Sequence, residues 1–126
     1  MEIKKEDLVF IRGEGGELLS QEVTLENIEG NPTIRAKPLT RGMLQEIYQR
    51  ATSDNPAEKI RADNDVIING LVSPALTEAE IADMKPQLAL AVTQGILSIS
   101  LGISQKDIGE KTKDIIEDQE YLLAKK

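Results

Sequence analysis

The chain has 126 residues with neither cysteine nor histidine, and this length suits one domain with its own hydrophobic core. The absence of cysteine excludes disulfides and thiolate nucleophiles, and the absence of histidine removes the commonest general base near neutral pH and the commonest transition-metal ligand. The formal charge of −7 repels the phosphates of nucleic acids. We therefore expect a protein that is not an enzyme, with no catalytic, cofactor or metal site and no nucleic acid partner.

Residues 1–39 predict an N-terminal region that is extended where it is ordered. Residues 8–12 form a candidate strand, and their apolar run is too short for the core of a signal peptide. Apolar and polar residues alternate in residues 21–26 and again in residues 33–39, as they do in half-buried strands. The glycine, asparagine and proline between them suit a reversal of direction. A β-hairpin is the predicted structure.

Residues 40–126 predict a mainly helical region. Thr40 can accept hydrogen bonds from the first turn of one helix, and Asn55 or Asp54 can do the same for the next. The second helix should end at Gly70, because asparagine and glycine stop the helical pattern there.

An irregular turn is predicted for residues 71–76, before a third helix. Thr77 and Glu80 form a capping-box pattern, in which each side chain accepts a hydrogen bond from the backbone of the other residue. Pro86 then ends that helix or starts the central one.

The central helix lies in the longest stretch without a charged residue, residues 86–105. Its glutamines, serines and threonines make a membrane span a poor interpretation, so we expect no membrane partner. Its apolar residues line two faces, which predicts two packing partners. The second of these partners is either the same domain or another chain. One face holds Leu88, Val92, Ile96 and Ile99, and the other holds Leu90, Leu97 and Leu101.

A last helix is predicted at residues 104–124, after Gly102 stops the central helix. Ile108, Ile115 and Leu122 recur every seven residues in it and form a narrow stripe. The spacing leaves three arrangements open, in which the helix docks on the domain, pairs with a second copy of the chain or lies against a client. Because Gly102 separates it from the central helix and its apolar stripe is narrow, the helix at residues 104–124 can be expected to detach from the rest of the domain.

The patterns together predict an α+β fold within one domain. An N-terminal β-hairpin region in residues 1–39 precedes a mainly α-helical region of four to five helices in residues 40–126.

Three short motifs point to one family. They read KPLTRG at residues 37–42, GLVSPALT at residues 70–77 and KP at residues 85–86, before the apolar helix. Together they resemble the tail assembly chaperones of long-tailed phages. The resemblance implies a small protein of the host cell cytoplasm that binds and solubilises the tape measure protein. It also implies that the protein helps to recruit tail tube subunits and is absent from the mature virion.

The family does not depend on a few reactive side chains, so the candidate contacts come from the pattern of apolar residues. An apolar residue outside the central helix is easier for a partner to reach. The residues expected to bind a partner are Leu71, Val72, Leu76, Ile108, Ile115 and Leu122. A homo-oligomer is left open.

The alternative function is a permanent small structural subunit of a phage tail or head-tail connector. Such a subunit would also be acidic, helical and without catalytic groups. A regulatory inhibitor that mimics DNA comes third, because the chain is acidic.

Overall fold

The structure is a computed structural model that describes residues 2–108. It confirms the predicted α+β fold, with strands early in the chain and helices after them. The elements in chain order are α1 (Lys5–Leu8), β1 (Gln21–Thr24), β2 (Thr33–Ala36), α2 (Arg41–Ala51), α3 (Pro56–Gly70), β3 (Leu71–Ser73), α4 (Glu78–Ala82) and α5 (Pro86–Leu101). A further helical turn at residues 105–108 closes the described part.

The predicted hairpin is confirmed as the first two strands of an antiparallel sheet in the order β1-β2-β3. Val23 pairs with Ile34 across β1 and β2, and both side chains are buried in the core. The reversal between the strands uses Gly30 at φ 84° and Asn31 at φ 46°, which are conformations that glycine and asparagine tolerate best. The turn residues thus set the register that the alternating pattern requires.

The irregular turn predicted for residues 71–76 is wrong for its first three residues, which form β3. Leu71 pairs with Ala36 and Ser73 pairs with Arg35, with a register shift between the two pairs. The cause lies in the preceding helix, because the carbonyl of Gly70 accepts a hydrogen bond from the Lys37 N–H at 2.9 Å. The end of α3 is therefore already aligned with β2, and three residues are too few to show an alternating pattern.

The strand predicted at residues 8–12 is also wrong. Leu8 ends the short helix α1, and Arg12 forms only an isolated bridge with Leu18. Part of the outer edge of β1 is occupied instead by the Gln105 side chain, whose Nε2 donates to the Thr24 carbonyl at 2.6 Å. A strand from the N-terminal segment could not bind that part of the edge.

The helix α5 packs between α3 and the sheet, but the second of its two predicted apolar faces is only partly covered within residues 2–108, because Leu90 and Leu101 are each 52% exposed. A separate packing partner for each face stays a prediction. Ile96 is fully buried, and a Cβ atom built on Gly70 would lie 2.5 Å from its Cγ2. On the side of the sheet, a Cβ atom on Gly95 would lie 3.1 Å from Cγ1 of Val23. A side chain at Gly70 would overlap Ile96, whereas one at Gly95 would only be tight against Val23.

The two helices α2 and α3 pack against each other and are joined by an ion-pair cluster around Arg50. The Arg50 guanidinium donates to the carboxylate of Asp65, which is only 4% exposed, and lies 3.8 Å from the carboxylate of Glu58. The hydrogen bond and the negative charge of Asp65 raise the pKa of Arg50 further above its ordinary value. Arg50 therefore compensates the only carboxylate among the buried residues of the described part.

The first turn of the predicted last helix is part of the domain. Gln105 and Ile108 are 7% and 4% exposed, and the Glu26 N–H donates to Oε1 of Gln105 at 3.4 Å. The Asp107 N–H donates to the Ser104 hydroxyl, which caps this turn. The remainder of the predicted helix lies outside the described residues.

We expect Gly70→Ala to lower the free energy of unfolding by about 1–3 kcal/mol, because the new methyl group overlaps Ile96. Urea denaturation measures this change. Gly42→Ala is the matched control, since the nearest atom to a Cβ there is Thr40 Oγ1 at 3.9 Å; that change should stabilise by about 0.4–1 kcal/mol. Equal effects of the two substitutions would contradict the close approach of α3 and α5.

We expect Thr77→Ala to lower the free energy of unfolding by about 0.5–2 kcal/mol without abolishing partner binding. The Thr77 hydroxyl accepts from the Glu80 N–H at 3.2 Å, and the Glu80 carboxylate accepts from the Thr77 N–H at 3.0 Å. Denaturation midpoints and binding below the melting range measure the two effects. Loss of binding in a folded Thr77→Ala variant would show that the cap is itself an interface.

The stability that the Glu80 carboxylate contributes through its hydrogen bond from the Thr77 N–H should depend on pH. The Thr77 backbone N–H, helped by the Thr77 side chain, lowers the pKa of Glu80. Because the pKa of Glu80 is lower in the folded protein than in the unfolded chain, the ionised carboxylate stabilises the fold at any pH above the unfolded value of about 4.3. This stabilisation is lost as the pH falls through the folded-state pKa. The stability deficit of Glu80→Ala should thus be complete at neutral pH and shrink in acid. A deficit that stays constant down to strongly acidic pH would contradict this.

We expect Gln105→Ala to lower the free energy of unfolding by about 1–3 kcal/mol, since it leaves two backbone groups of the β1 edge without their partner. The exposed neighbour Lys106→Ala is the control and should change stability by less than about 0.5 kcal/mol. Both are measured by urea denaturation of the full chain. If Gln105→Ala behaves like the control, the docking of residues 105–108 contributes nothing to the domain.

Candidate partner-binding cleft

An apolar cleft in the described part of the chain has a volume of about 840 Å³. It lies where the N-terminal segment, the start of α2 and the end of α5 meet. We call it the main cleft. Its lining residues are Leu8, Val9, Phe10, Arg12, Leu39, Thr40, Arg41, Gly42, Leu44, Ser100 and Leu101.

The floor of the main cleft is held by hydrogen bonds between the loop before α2 and the last turn of α5. The Leu39 N–H donates to the Ser100 hydroxyl at 2.7 Å, and that hydroxyl donates to the Ile96 carbonyl at 2.7 Å. Leu39 itself is only 1% exposed. Thr40 then caps α2, because its Oγ1 accepts from the Met43 N–H at 3.3 Å. The start of α2 therefore has a defined position beside α5.

One wall of the main cleft is an apolar run in the N-terminal segment. Leu8, Val9 and Phe10 are 67%, 58% and 37% exposed. The other side of this segment borders a smaller cleft of about 300 Å³, where Val9 and Phe10 recur with Ile11 and Leu19. The segment thus stands between two clefts with much of its apolar surface open to solvent.

The opposite wall is the last residue of α5. Leu101 is 52% exposed and lines the main cleft. Leu90, about three turns earlier on the same helix, is also 52% exposed but lines none of the clefts described. The two leucines are therefore equally exposed, but Leu101 lines the main cleft and Leu90 does not.

The apolar surface continues from the main cleft along the exposed side of α2. A shallower depression of about 670 Å³ shares Arg41 and Leu44 with the main cleft and extends to Tyr48. Tyr48 is 69% exposed, although the helical spacing places it beside the apolar residues of α2. Such a continuous exposed apolar surface is typical of a protein-binding site.

The charges at the main cleft have the opposite sign to the protein as a whole. The charged residues that line it are Arg12 and Arg41, with no carboxylate among the lining residues. Arg12 donates to the Gly16 carbonyl at 2.7 Å. Arg41 forms no hydrogen bond or ion pair with any residue between 2 and 108. Its guanidinium is therefore available to a carboxylate of a bound partner.

The polar groups inside the cleft serve the fold. The hydroxyls of Thr40 and Ser100 are bonded to the backbone, and the groups with shifted pKa, Arg50 and Glu80, lie elsewhere. Within residues 2–108, no group of three or more acidic side chains is arranged to hold a metal ion. No helix of this part is long and apolar enough to cross a bilayer. The arrangement is suited to binding an apolar surface bordered by negative charge.

Of the residues predicted to bind a partner, the four in the described part do not line the main cleft. Leu71 and Leu76 are partly buried against the core, Val72 is 39% exposed on β3 and Ile108 is buried. The two remaining residues, Ile115 and Leu122, lie outside the described part. A role of any of them in partner binding stays a prediction.

Sequence reasoning missed the cleft although two signals were present. The run from Leu8 to Ile11 predicts a strand, and a strand of a sheet would bury one of its faces. The pattern of α5 predicts a second apolar face, but it does not show that Leu101 stays exposed. Which elements meet there depends on tertiary contacts between residues that are far apart in the chain.

No protein-family model, curated protein or solved structure matches the chain. Its function is therefore to be inferred from the motifs and from the cleft that one of them lines.

Proposed function

We propose that this protein is a phage tail assembly chaperone. It binds and solubilises the tape measure protein and helps to recruit tail tube subunits. The observation that carries the proposal is the position of the KPLTRG motif, residues 37–42. Its last four residues, Leu39 to Gly42, line the main cleft. The segment on which the family resemblance depends is thus also the wall of an exposed apolar cleft.

The expected affinity of the cleft fits a temporary partner. Full burial of a leucine, valine or phenylalanine contributes about 1.5–3 kcal/mol, and the exposed residues of the cleft are already partly buried. Covering Leu8, Val9, Phe10 and Leu101 therefore contributes on the order of 3–6 kcal/mol, part of which is offset by the freedom lost on association. A chaperone must release its client when the tail assembles, and such modest affinity allows release.

The charge of the protein supports the same role. A net charge of −7 keeps a small protein soluble and opposes self-aggregation. A bound client whose apolar stripe is covered by the cleft would share this acidic surface. The complex would then stay soluble when the free client does not.

The other two motifs of the resemblance support the scaffold. GLVSPALT at residues 70–77 includes the close contact at Gly70, the strand β3 and the capping residue Thr77. Pro86 is the first residue of α5, where its fixed φ suits a helix start. These motifs position α5, and α5 in turn provides one wall of the cleft.

The proposed role places the protein in the host cell cytoplasm, where tails assemble, and predicts that it is absent from the mature virion. Mass spectrometry of purified particles tests this. A stoichiometric copy number in the particles would contradict the chaperone and establish the permanent structural subunit instead.

We expect co-expression to raise the soluble fraction of the tape measure protein, the long helical client that the family resemblance implies. Leu101→Gln should reduce that gain several-fold, because it makes a wall of the main cleft polar. Leu90→Gln is the matched control: it removes an equally exposed leucine of the same helix outside the cleft, and the gain should stay near the wild-type level. Soluble and insoluble fractions are compared by quantitative electrophoresis.

Two results would contradict the proposal at different levels. If the wild-type chain folds but gives no soluble partner, the assignment as a tape measure chaperone is wrong. If the gain is normal in Leu101→Gln, the client binds elsewhere. Val72→Thr then tests the site predicted from the sequence, since Val72 is the exposed member of that set in the described part.

A further inference from the structure

Arg41 lies at a position in α2 where its charge does not help the helix. It is the first residue of α2, and the first turn contains no acidic residue. The N-terminus of a helix carries a partial positive charge, which favours carboxylates there and disfavours cations. The guanidinium of Arg41 forms no hydrogen bond or ion pair with any residue between 2 and 108. The fold of this part of the chain therefore does not account for a positive charge at this position.

The same charge lies at the rim of the main cleft. Arg41 and Arg12 are the charged residues among those that line it. A protein with a net charge of −7 should attract a basic partner at long range. At the main cleft the local charge has the opposite sign and favours an occupant with carboxylates. The two expectations oppose each other, so the sign of the charge on a bound partner shows which of them holds.

The apolar surface follows α2 over a distance that fits a bound helix. The main cleft and the shallower depression share Arg41 and Leu44, and the depression extends to Tyr48. Arg41 and Tyr48 are seven residues apart, which corresponds to about 10 Å along the helix axis. The apolar stripe of an amphipathic helix spans the same distance between positions i and i+7. A helix also satisfies its own backbone hydrogen bonds when it is buried against an apolar surface.

We propose that the main cleft binds an amphipathic helix whose apolar stripe is bordered by carboxylates, and that Arg41 selects the sign of that charge. The apolar side chains of the bound helix cover Leu8 and Leu101, and one of its carboxylates pairs with the Arg41 guanidinium. This proposal rests on the proposed function, because the bound helix is the segment by which the client occupies the main cleft.

The charge of Arg41 then serves binding and not folding. Arg41→Glu places a carboxylate at the first residue of α2, where the helix dipole favours it. The melting temperature of the full chain should therefore not fall, although an acidic helix should bind more weakly. A purely structural role of Arg41 predicts a lower melting temperature instead.

Two synthetic peptides of about 14 residues, or about four turns of helix, test the sign of the charge. Both carry the same leucine stripe and the same hydrocarbon staple, which keeps them helical. The stripe is bordered by glutamates in one peptide and by lysines in the other. Fluorescence anisotropy measures the binding of each peptide to the full chain and to its Arg41→Glu, Arg61→Glu and Leu101→Gln variants.

Arg61→Glu is the matched control for Arg41→Glu. Arg61 is exposed on α3 and lines none of the clefts described. Its substitution changes the net charge of the protein by the same amount as Arg41→Glu. A difference between the two variants therefore reports the charge at the main cleft and not the charge of the whole protein.

We expect the acidic peptide to bind the wild-type chain about five- to tenfold more tightly than the basic peptide, because two exposed ion pairs replace two repulsions. Arg41→Glu should abolish or reverse this preference. Arg61→Glu should leave it within about twofold, since salt screens distant exposed charges. Leu101→Gln should weaken both peptides alike.

Three outcomes overturn the proposal. Equal affinities, or tighter binding of the basic peptide, would show that the cleft does not select carboxylates. Equal effects of Arg41→Glu and Arg61→Glu would remove the role of Arg41. Failure of the acidic peptide to bind, or binding that appears only when the protein is diluted, would assign the cleft to another occupant, and an effect of dilution would identify it as a second copy of the chain. None of these results decides whether the tape measure protein is a client, which the co-expression experiment measures separately.

Discussion

The close approach of Gly70 to Ile96 is the contact on which the other elements depend. Gly70 ends α3, and its missing side chain lets α5 pack directly against the end of that helix. The carbonyl of the same residue accepts from the Lys37 N–H, which aligns the following strand β3 with β2. One glycine thus connects a helix pair, the sheet and the central helix. A larger residue at this position has to move at least one of them.

The cleft is a consequence of this arrangement. With α5 held against α3 and the sheet, its last turn reaches the loop before α2, where Ser100 accepts from the Leu39 N–H. Leu101 then faces the N-terminal segment across a gap that the described residues leave unfilled. The apolar walls come from parts of the chain that have no local reason to meet. Their exposure, with arginines at the rim of an acidic protein, favours recognition of a partner with apolar and acidic side chains.

The proposed chaperone role rests on two separate observations. One is the resemblance of three sequence motifs to tail assembly chaperones, and the other is the exposed apolar cleft that one of those motifs lines. An exposed apolar surface of this kind is typical of a protein-binding site.

Local signals in the sequence were sufficient for the elements whose ends are set by short-range chemistry. Thr40, Asn55 and Thr77 cap the helices as their side chains predict, and the turn at Gly30 and Asn31 sets the hairpin. Tertiary structure alone decided three features: that residues 71–73 form β3, that residues 8–12 do not form a strand, and that the main cleft exists. In each case the deciding contact joins residues far apart in the chain: Lys37 with Gly70, Gln105 with Thr24 and Leu39 with Ser100. Periodicity reports which side of an element is apolar, but the packing of the other elements determines whether that side is covered.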